Sequence, residues 1–153
     1  MRLALYQPDI PQNAGALIRL GACLGVEIAL IEPCGFLLSD RNFRRAGMDY
    51  VQAAQVIRYP GWTDFLAQRT GAAMGRVVLL TTHAATAYTA FAFRPDDTLL
   101  LGRESAGVPQ EVHDAADARL CIPMRPGLRS LNMAQAAAMV LGEGLRQTKG
   151  FAR

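Results

Sequence analysis

Four segments of this chain concentrate residue types that can do chemistry. The first is PDIPQNAGALIR, residues 8–19. Asn13 stands near the start of a helical pattern, where an amide commonly caps. Gly15 permits close backbone approach, and Arg19 follows less than two helical turns after Asn13, so it can lie beside the same sheet end. The second segment is LGRESAGVP, residues 101–109. Here a strand ends in a glycine-punctuated turn whose backbone N–H groups are free to meet a nucleotide-like ligand. It is not the G-x-G-x-x-G fingerprint, because Glu104 occupies the second glycine position and its carboxylate would repel a pyrophosphate. A cation or a nucleoside without phosphates fits better. Nor is it a G-x-S-x-G nucleophile elbow, since Arg103 lies two residues before Ser105.

The third segment is IPMRPGLRSLNM, residues 122–133, a strand end that opens into a Pro/Gly loop feeding a long helix. Ser130 or Asn132 can cap that helix, and Asn132 with Gln135 resembles a capping box. The fourth is DRNFRR, residues 40–45, with Tyr50 and Arg58 nearby. Arg41, Arg44, Arg45 and Arg58 with interleaved aromatics suit a phosphate backbone and an unstacked base. Each segment also has a plainer reading: a cap with a packing glycine and a solvated arginine, a tight turn, a packing or dimerising helix, a charged surface face.

These residues need elements to hold them. Apolar runs over Leu3–Tyr6, Val26–Ile31, Gln55–Tyr59, Arg76–Thr82, Asp97–Gly102 and Ala118–Pro123 predict strands. Helical spacing predicts helices over Ala14–Leu24, with Pro11 in the first turn, and over Asp40–Gly47, Trp62–Arg69, Val108–Ala116 and Ser130–Gln147. Strands alternating with helices predict a single α/β domain over residues 1–153, with a mostly parallel sheet flanked by helices. Ligands bind such sheets beyond the carboxyl ends of the strands, where the chemistry-bearing segments fall.

Composition sets outer bounds. The chain has 153 residues, 51% of them hydrophobic and 19% charged, enough for a real core and too few charges for a disordered chain. No apolar stretch is long enough for a membrane span, and the N-terminus reads as a first strand rather than a signal peptide, so a cytoplasmic protein is expected. Net charge is +3, and all of the 16 basic residues except Lys149 are arginine. That tilts weakly towards polyanionic partners. Cys23, Cys34 and Cys121 are widely spaced, and His83 and His113 adjoin no cysteine. Neither a disulfide framework nor a bound metal is expected.

Taken in order, LYQPDIPQNAGALIRL, IEPCGF, DRNFRRAGMDY, LLTT, LLGRESAGVP and IPMRPGLRSLNMAQA resemble the SPOUT superfamily of RNA methyltransferases. Within it, the resemblance is to the TrmL-like (YibK-like) tRNA 2′-O-methyltransferases and runs over nearly the whole chain. It implies a C-terminal trefoil knot, which topology rules alone would argue against. It also implies a homodimer, S-adenosylmethionine as cofactor with S-adenosylhomocysteine as product, and the ribose of a tRNA wobble cytidine or uridine as target. Carried onto this chain, the catalytic residues would be Asn13, Arg19, Glu104, Ser130 and Asn132. The cofactor would meet Leu80, Gly102, Glu104, Gly107, Ile122, Ser130 and Leu131. Arg41, Arg44, Arg45 and Arg58 are candidates for RNA binding.

Two positions depart from the resemblance. Gly142 stands where some relatives carry a tyrosine, and Arg103 stands where relatives often carry a smaller residue or proline. Arg103 is expected to pair with Glu104 or to face RNA. The alternatives are a SPOUT methyltransferase acting on another RNA site and a non-catalytic RNA-binding protein of the same fold. A nucleotide-binding oxidoreductase fails on the missing glycine fingerprint.

Overall fold

The structure is a computed structural model and describes residues 1–37, 50, 53–71 and 75–151. The helix expected over Asp40–Gly47, and with it Arg41, Arg44 and Arg45, lies outside the described residues. Among the described residues there are seven strands: β1 (Arg2–Tyr6), β2 (Glu27–Ile31), β3 (Val56–Tyr59), β4 (Val77–Leu80), β5 (Thr86–Ala87), β6 (Thr98–Leu101) and β7 (Ala118–Cys121). Among the same residues four α-helices accompany them: α1 (Pro11–Leu24), α2 (Trp62–Gly71), α3 (Gln110–Ala115) and α4 (Met133–Thr148). The strands form one sheet in the order β3-β2-β1-β6-β4-β7-β5, and every pairing is parallel. β5 was not anticipated: two residues carry no periodicity.

Alternation along the strands divides the core between the two faces. Leu3 and Leu5 of β1 join Leu17 and Ile18 of α1 and Val140, Leu141 and Leu145 of α4 on one face. Ala4 and Tyr6 join Phe65 of α2 and Val112 of α3 on the other. Both faces are covered, which is why the central strands are apolar throughout. α1 begins at Pro11 with no side-chain cap, and ends at Gly25, whose φ of 66° is the left-handed stop that glycine tolerates. Gly21 is there for proximity: a Cβ would come within 2.6 Å of the Val26 carbonyl oxygen as the chain turns into β2.

The amino ends of the strands are closed by ion pairs. Asp97, fully buried, accepts from Arg76 at 2.9 and 2.8 Å and from the Arg94 backbone at 2.7 Å. Asp117 accepts from the Val77 backbone at 2.7 Å and pairs with Arg69. The carboxyl ends are left to the loops.

Candidate active site

The loops after β1, β4, β6 and β7 converge on a cavity of about 600 Å³, within the ~300–1,000 Å³ range of small-molecule sites. Leu79, Leu80, Leu101 and Ile122 give it apolar walls, and Asn13, Glu104, Ser130 and Asn132 bring polar groups to it. The turn after β6 is closed on itself: Arg103 and Gly107 exchange backbone hydrogen bonds of 2.8 Å in each direction. Gly107 has a φ of 66°, and a Cβ on Gly102 would sit 2.6 Å from the Gly107 carbonyl carbon. Both glycines are therefore required by the turn itself.

Inside the cavity, three residues from distant parts of the chain form a directed hydrogen-bond relay. The Asn132 side-chain oxygen accepts from the Ala134 and Gln135 backbone N–H groups at 2.9 and 3.3 Å and so caps α4. Backbone N–H groups only donate, so this fixes which way the Asn132 amide points. Its nitrogen then donates to the Asn13 oxygen at 2.9 Å. The Asn13 nitrogen is left to donate to Glu104 Oε1 at 3.0 Å. Glu104 Oε2 accepts from the Asp9 backbone at 2.7 Å. Polarity thus runs from the start of α4 through two amides to one carboxylate, and Glu104 ends it as an acceptor at both oxygens.

This revises the reading of Asn13. It caps nothing: α1 starts two residues earlier, because Pro11 is preset for a first helical position, and Asn13 is carried to the buried face, where 7% of it is exposed. Asn132 is the cap, as anticipated, and Ser130 is not. Arg103 pairs with Asp9 rather than Glu104, at 2.7 Å, because the 103–107 turn points its guanidinium back towards the loop after β1. The Asp9 carboxyl is pulled down to about 2, chiefly by its hydrogen bonds from Arg103 and then from Ser105.

All of the expected cofactor contacts, Leu80, Gly102, Glu104, Gly107, Ile122, Ser130 and Leu131, line the cavity, as do Asn13 and Asn132. Arg19 does not: it stands on the exposed face of α1, with its guanidinium 4.6 Å from the centre of the Tyr50 ring and 3.3 Å from the Tyr50 hydroxyl. Arg58, on edge strand β3, is paired with Glu32 at 2.6 Å. Arg129 also lines the cavity and was not singled out, and His83 and His113, weighed in the sequence only as metal ligands, line it too. Arg129 adjoins Ser130 in the same segment, so its neighbourhood was the available signal. His113 Nδ1 accepts from Arg119 Nε at 3.2 Å. Among the described residues, no group of three or more His, Cys, Asp or Glu side chains could hold a metal ion, and no helix is long and apolar enough to cross a membrane.

A cleft of mixed apolar and polar lining at the carboxyl ends of a parallel sheet, with a glycine turn carrying a carboxylate in place of a phosphate cradle, suits a nucleoside-like ligand. The SpoU rRNA methylase family matches residues 1–142 of the chain. The chain belongs to the SpoU methylase family. This SpoU methylase is 61% identical over 151 residues to a tRNA (cytidine(34)-2′-O)-methyltransferase from Beijerinckia indica, covering 99% of this chain and 94% of that one. A structure solved for the 2-OH methylation of C/U34 on tRNA superposes with a TM-score of 0.89 at 39% identity, covering 97% of this chain and 96% of the other. An AdoMet-bound rRNA methyltransferase from Sinorhizobium meliloti superposes with a TM-score of 0.85 at 29% identity, over 95% of this chain and 55% of that one.

Proposed function

We propose that this SpoU methylase is a cytoplasmic tRNA 2′-O-methyltransferase that takes its methyl group from S-adenosylmethionine and modifies the ribose of a cytidine or uridine at position 34. The observation that carries this reading is the Glu104–Asn13–Asn132 relay against the cleft, in a chain that matches a C34 enzyme from end to end.

The cleft suits the cofactor. Leu80 and Ile122 offer apolar faces to a purine, the glycine turn offers backbone donors to its edge, and Ser130 and Leu131 line the same cavity. When bound, S-adenosylmethionine supplies an electrophilic methyl on a cationic sulfonium. The protein's part is alignment, exclusion of water and help in deprotonating the ribose hydroxyl. Glu104 contributes a fixed negative charge near a cationic ligand, and the relay keeps it from turning away. Arg19 stays protonated in any protein environment and so is no base. Its role is to stabilise the developing alkoxide or to anchor a phosphate.

Because Arg19 faces away from the cavity of its own chain, it serves the reaction through bound RNA or across a homodimer. Met139 on α4, which is not part of the cavity wall, leaves an apolar side chain exposed, which supports such a dimer. We further infer the trefoil knot of the superfamily for the C-terminal part and recruitment of tRNA by Arg41, Arg44, Arg45 and Arg58.

The test is transfer of labelled methyl from S-adenosylmethionine to bulk tRNA from a strain lacking the modification, with nuclease mapping and mass spectrometry of the product. A 2′-O-methylated nucleotide 34 is expected. Methylation elsewhere would move the substrate to another RNA site, and tight cofactor binding without any transfer would favour a non-catalytic RNA-binding protein.

A further inference from the structure

The relay accounts for Glu104, Asn13 and Asn132, but not for the residue that holds the other side of Glu104. Asp9 touches three consecutive residues of the turn after β6. Its Oδ1 accepts from Arg103 Nη2 at 2.7 Å and Nε at 3.2 Å. Its Oδ2 accepts from the Ser105 backbone at 3.2 Å and from the Ser105 hydroxyl. Its own backbone N–H donates to Glu104 Oε2 at 2.7 Å. Asp9 is itself braced from behind. Gly35 donates to the Pro8 carbonyl at 2.9 Å, and a Cβ on Gly35 would lie 3.0 Å from Asp9 Cα. The turn it grips is already closed between Arg103 and Gly107.

We propose that Asp9 and Arg103 are a positioning pair that sets the turn after β6 for S-adenosylmethionine and cancels the arginine's charge beside a cationic ligand, a proposal that rests on the cofactor assignment above. The geometric half follows from the contacts: Arg103 donates twice to Asp9 Oδ1 and Ser105 donates twice to Oδ2, so one carboxylate ties two residues of the turn through both of its oxygens, and Gly102, Glu104 and Gly107 all sit on the turn it fixes. The electrostatic half follows from the partners. Arg103 is matched by Asp9, whereas among the described residues Glu104 accepts hydrogen bonds from an amide and a backbone N–H, both neutral. The turn therefore shows the cavity one unmatched charge, and it is negative. Freeing Arg103 would add an opposing positive charge. That penalty falls on the sulfonium cofactor and not on the uncharged thioether of its product.

The experiment is calorimetric titration of wild type, Asp9→Asn, Arg103→Met and the double variant with S-adenosylmethionine and S-adenosylhomocysteine. Arg103 is 39% exposed, so its truncation leaves the core intact, and Arg103→Lys provides a conservative rescue. Arg103→Met is expected to raise Kd for both ligands by about tenfold, the loss of one charge-assisted contact. Asp9→Asn is expected to do the same and to weaken the sulfonium ligand by roughly a further threefold, a charge effect limited by solvent. The double variant is expected to be no worse than Asp9→Asn, since the two residues act as one unit. Arg103→Lys should recover part of the loss for both ligands. In tRNA methylation, the cofactor KM should rise while kcat stays within about twofold, as expected for uniform binding. Single variants that bind both ligands like wild type, or losses that multiply in the double variant, would overturn the pair and leave the cofactor reading standing. A wild-type protein that binds neither ligand would overturn both.

Discussion

Replacing Asn13 with aspartate tests the direction of the relay. In the wild type, the Asn13 nitrogen donates to Glu104 Oε1 across 3.0 Å. Asn13→Asp keeps the oxygen that accepts from Asn132 and turns the donor into a second carboxylate oxygen facing the first. Two unit charges at that separation repel by ~5 kcal/mol at an effective dielectric constant of about 20. Glu104 is only half-buried, so solvent reduces the cost to about 3 kcal/mol, equivalent to raising one carboxyl of the new pair by roughly two units. The sign follows from linkage. A carboxyl raised in the folded state destabilises above its folded value, and the penalty disappears as pH falls to the ordinary carboxylate range, because one shared proton restores the bond. Urea denaturation at pH 8 and pH 5 measures this. Asn13→Asp should lose about 3 kcal/mol at pH 8 and about half of that loss should vanish at pH 5. Asn13→Ala should be destabilised to a similar degree at both. Equal destabilisation of Asn13→Asp at the two pH values would refute the assigned polarity of the relay.

Other expectations follow from the same contacts. Asn132→Ala removes the cap of α4 and leaves the Asn13 oxygen unpaired, and should cost about 2–3 kcal/mol. Asn132→Ser restores the cap alone and should recover about 1 kcal/mol without restoring methyl transfer, as thermal melts and activity together would reveal. Gly102→Ala forces a Cβ against the Gly107 backbone at 2.6 Å and should weaken S-adenosylhomocysteine binding by about tenfold or more in calorimetry. Arg19→Ala should abolish methyl transfer while cofactor affinity stays within about threefold, because Arg19 makes no part of the cavity wall; surviving turnover would remove it from the mechanism. Replacing Arg44 and Arg45 together should weaken tRNA binding and flatten its dependence on salt, and an unchanged salt slope would exclude that segment from the RNA footprint.

Every strand of the sheet except β5, and the four loops that matter, were legible because each buried strand is an apolar run with a turn signal at its end. Helix α4 and its cap at Asn132 were legible for the same local reason. What escaped was non-local. Asp9 and Arg103 are 94 residues apart, and Asn13 and Asn132 are 119 apart. Nothing in the periodicity around either says which distant group it will meet. Asn13 was misread as a cap because asparagine is common there, while Pro11 quietly set the helix start two residues earlier. Of the two expectations for Arg103, pairing with Glu104 gives way to pairing with Asp9: Glu104 is adjacent in sequence, but its oxygens are taken by Asn13 and by the Asp9 backbone, while the Asp9 carboxylate is left to the guanidinium.

The strand order has a consequence for how the protein is made. β6 lies between β1 and β4, and β7 lies between β4 and β5, so both interior seams are filled by strands that emerge from the ribosome after the strands beside them. A nascent chain that has not reached Thr98 holds β1 and β4 with no neighbour to join them, each presenting an apolar, unpaired edge. Such edges attract other chains. The interval between synthesis of β4 and delivery of β6 is therefore the period when this protein is most exposed to aggregation. The last parts of the cavity wall, Asn132, Met133 and Ala136, arrive later still, so a chain that has not reached the start of α4 cannot close the cleft.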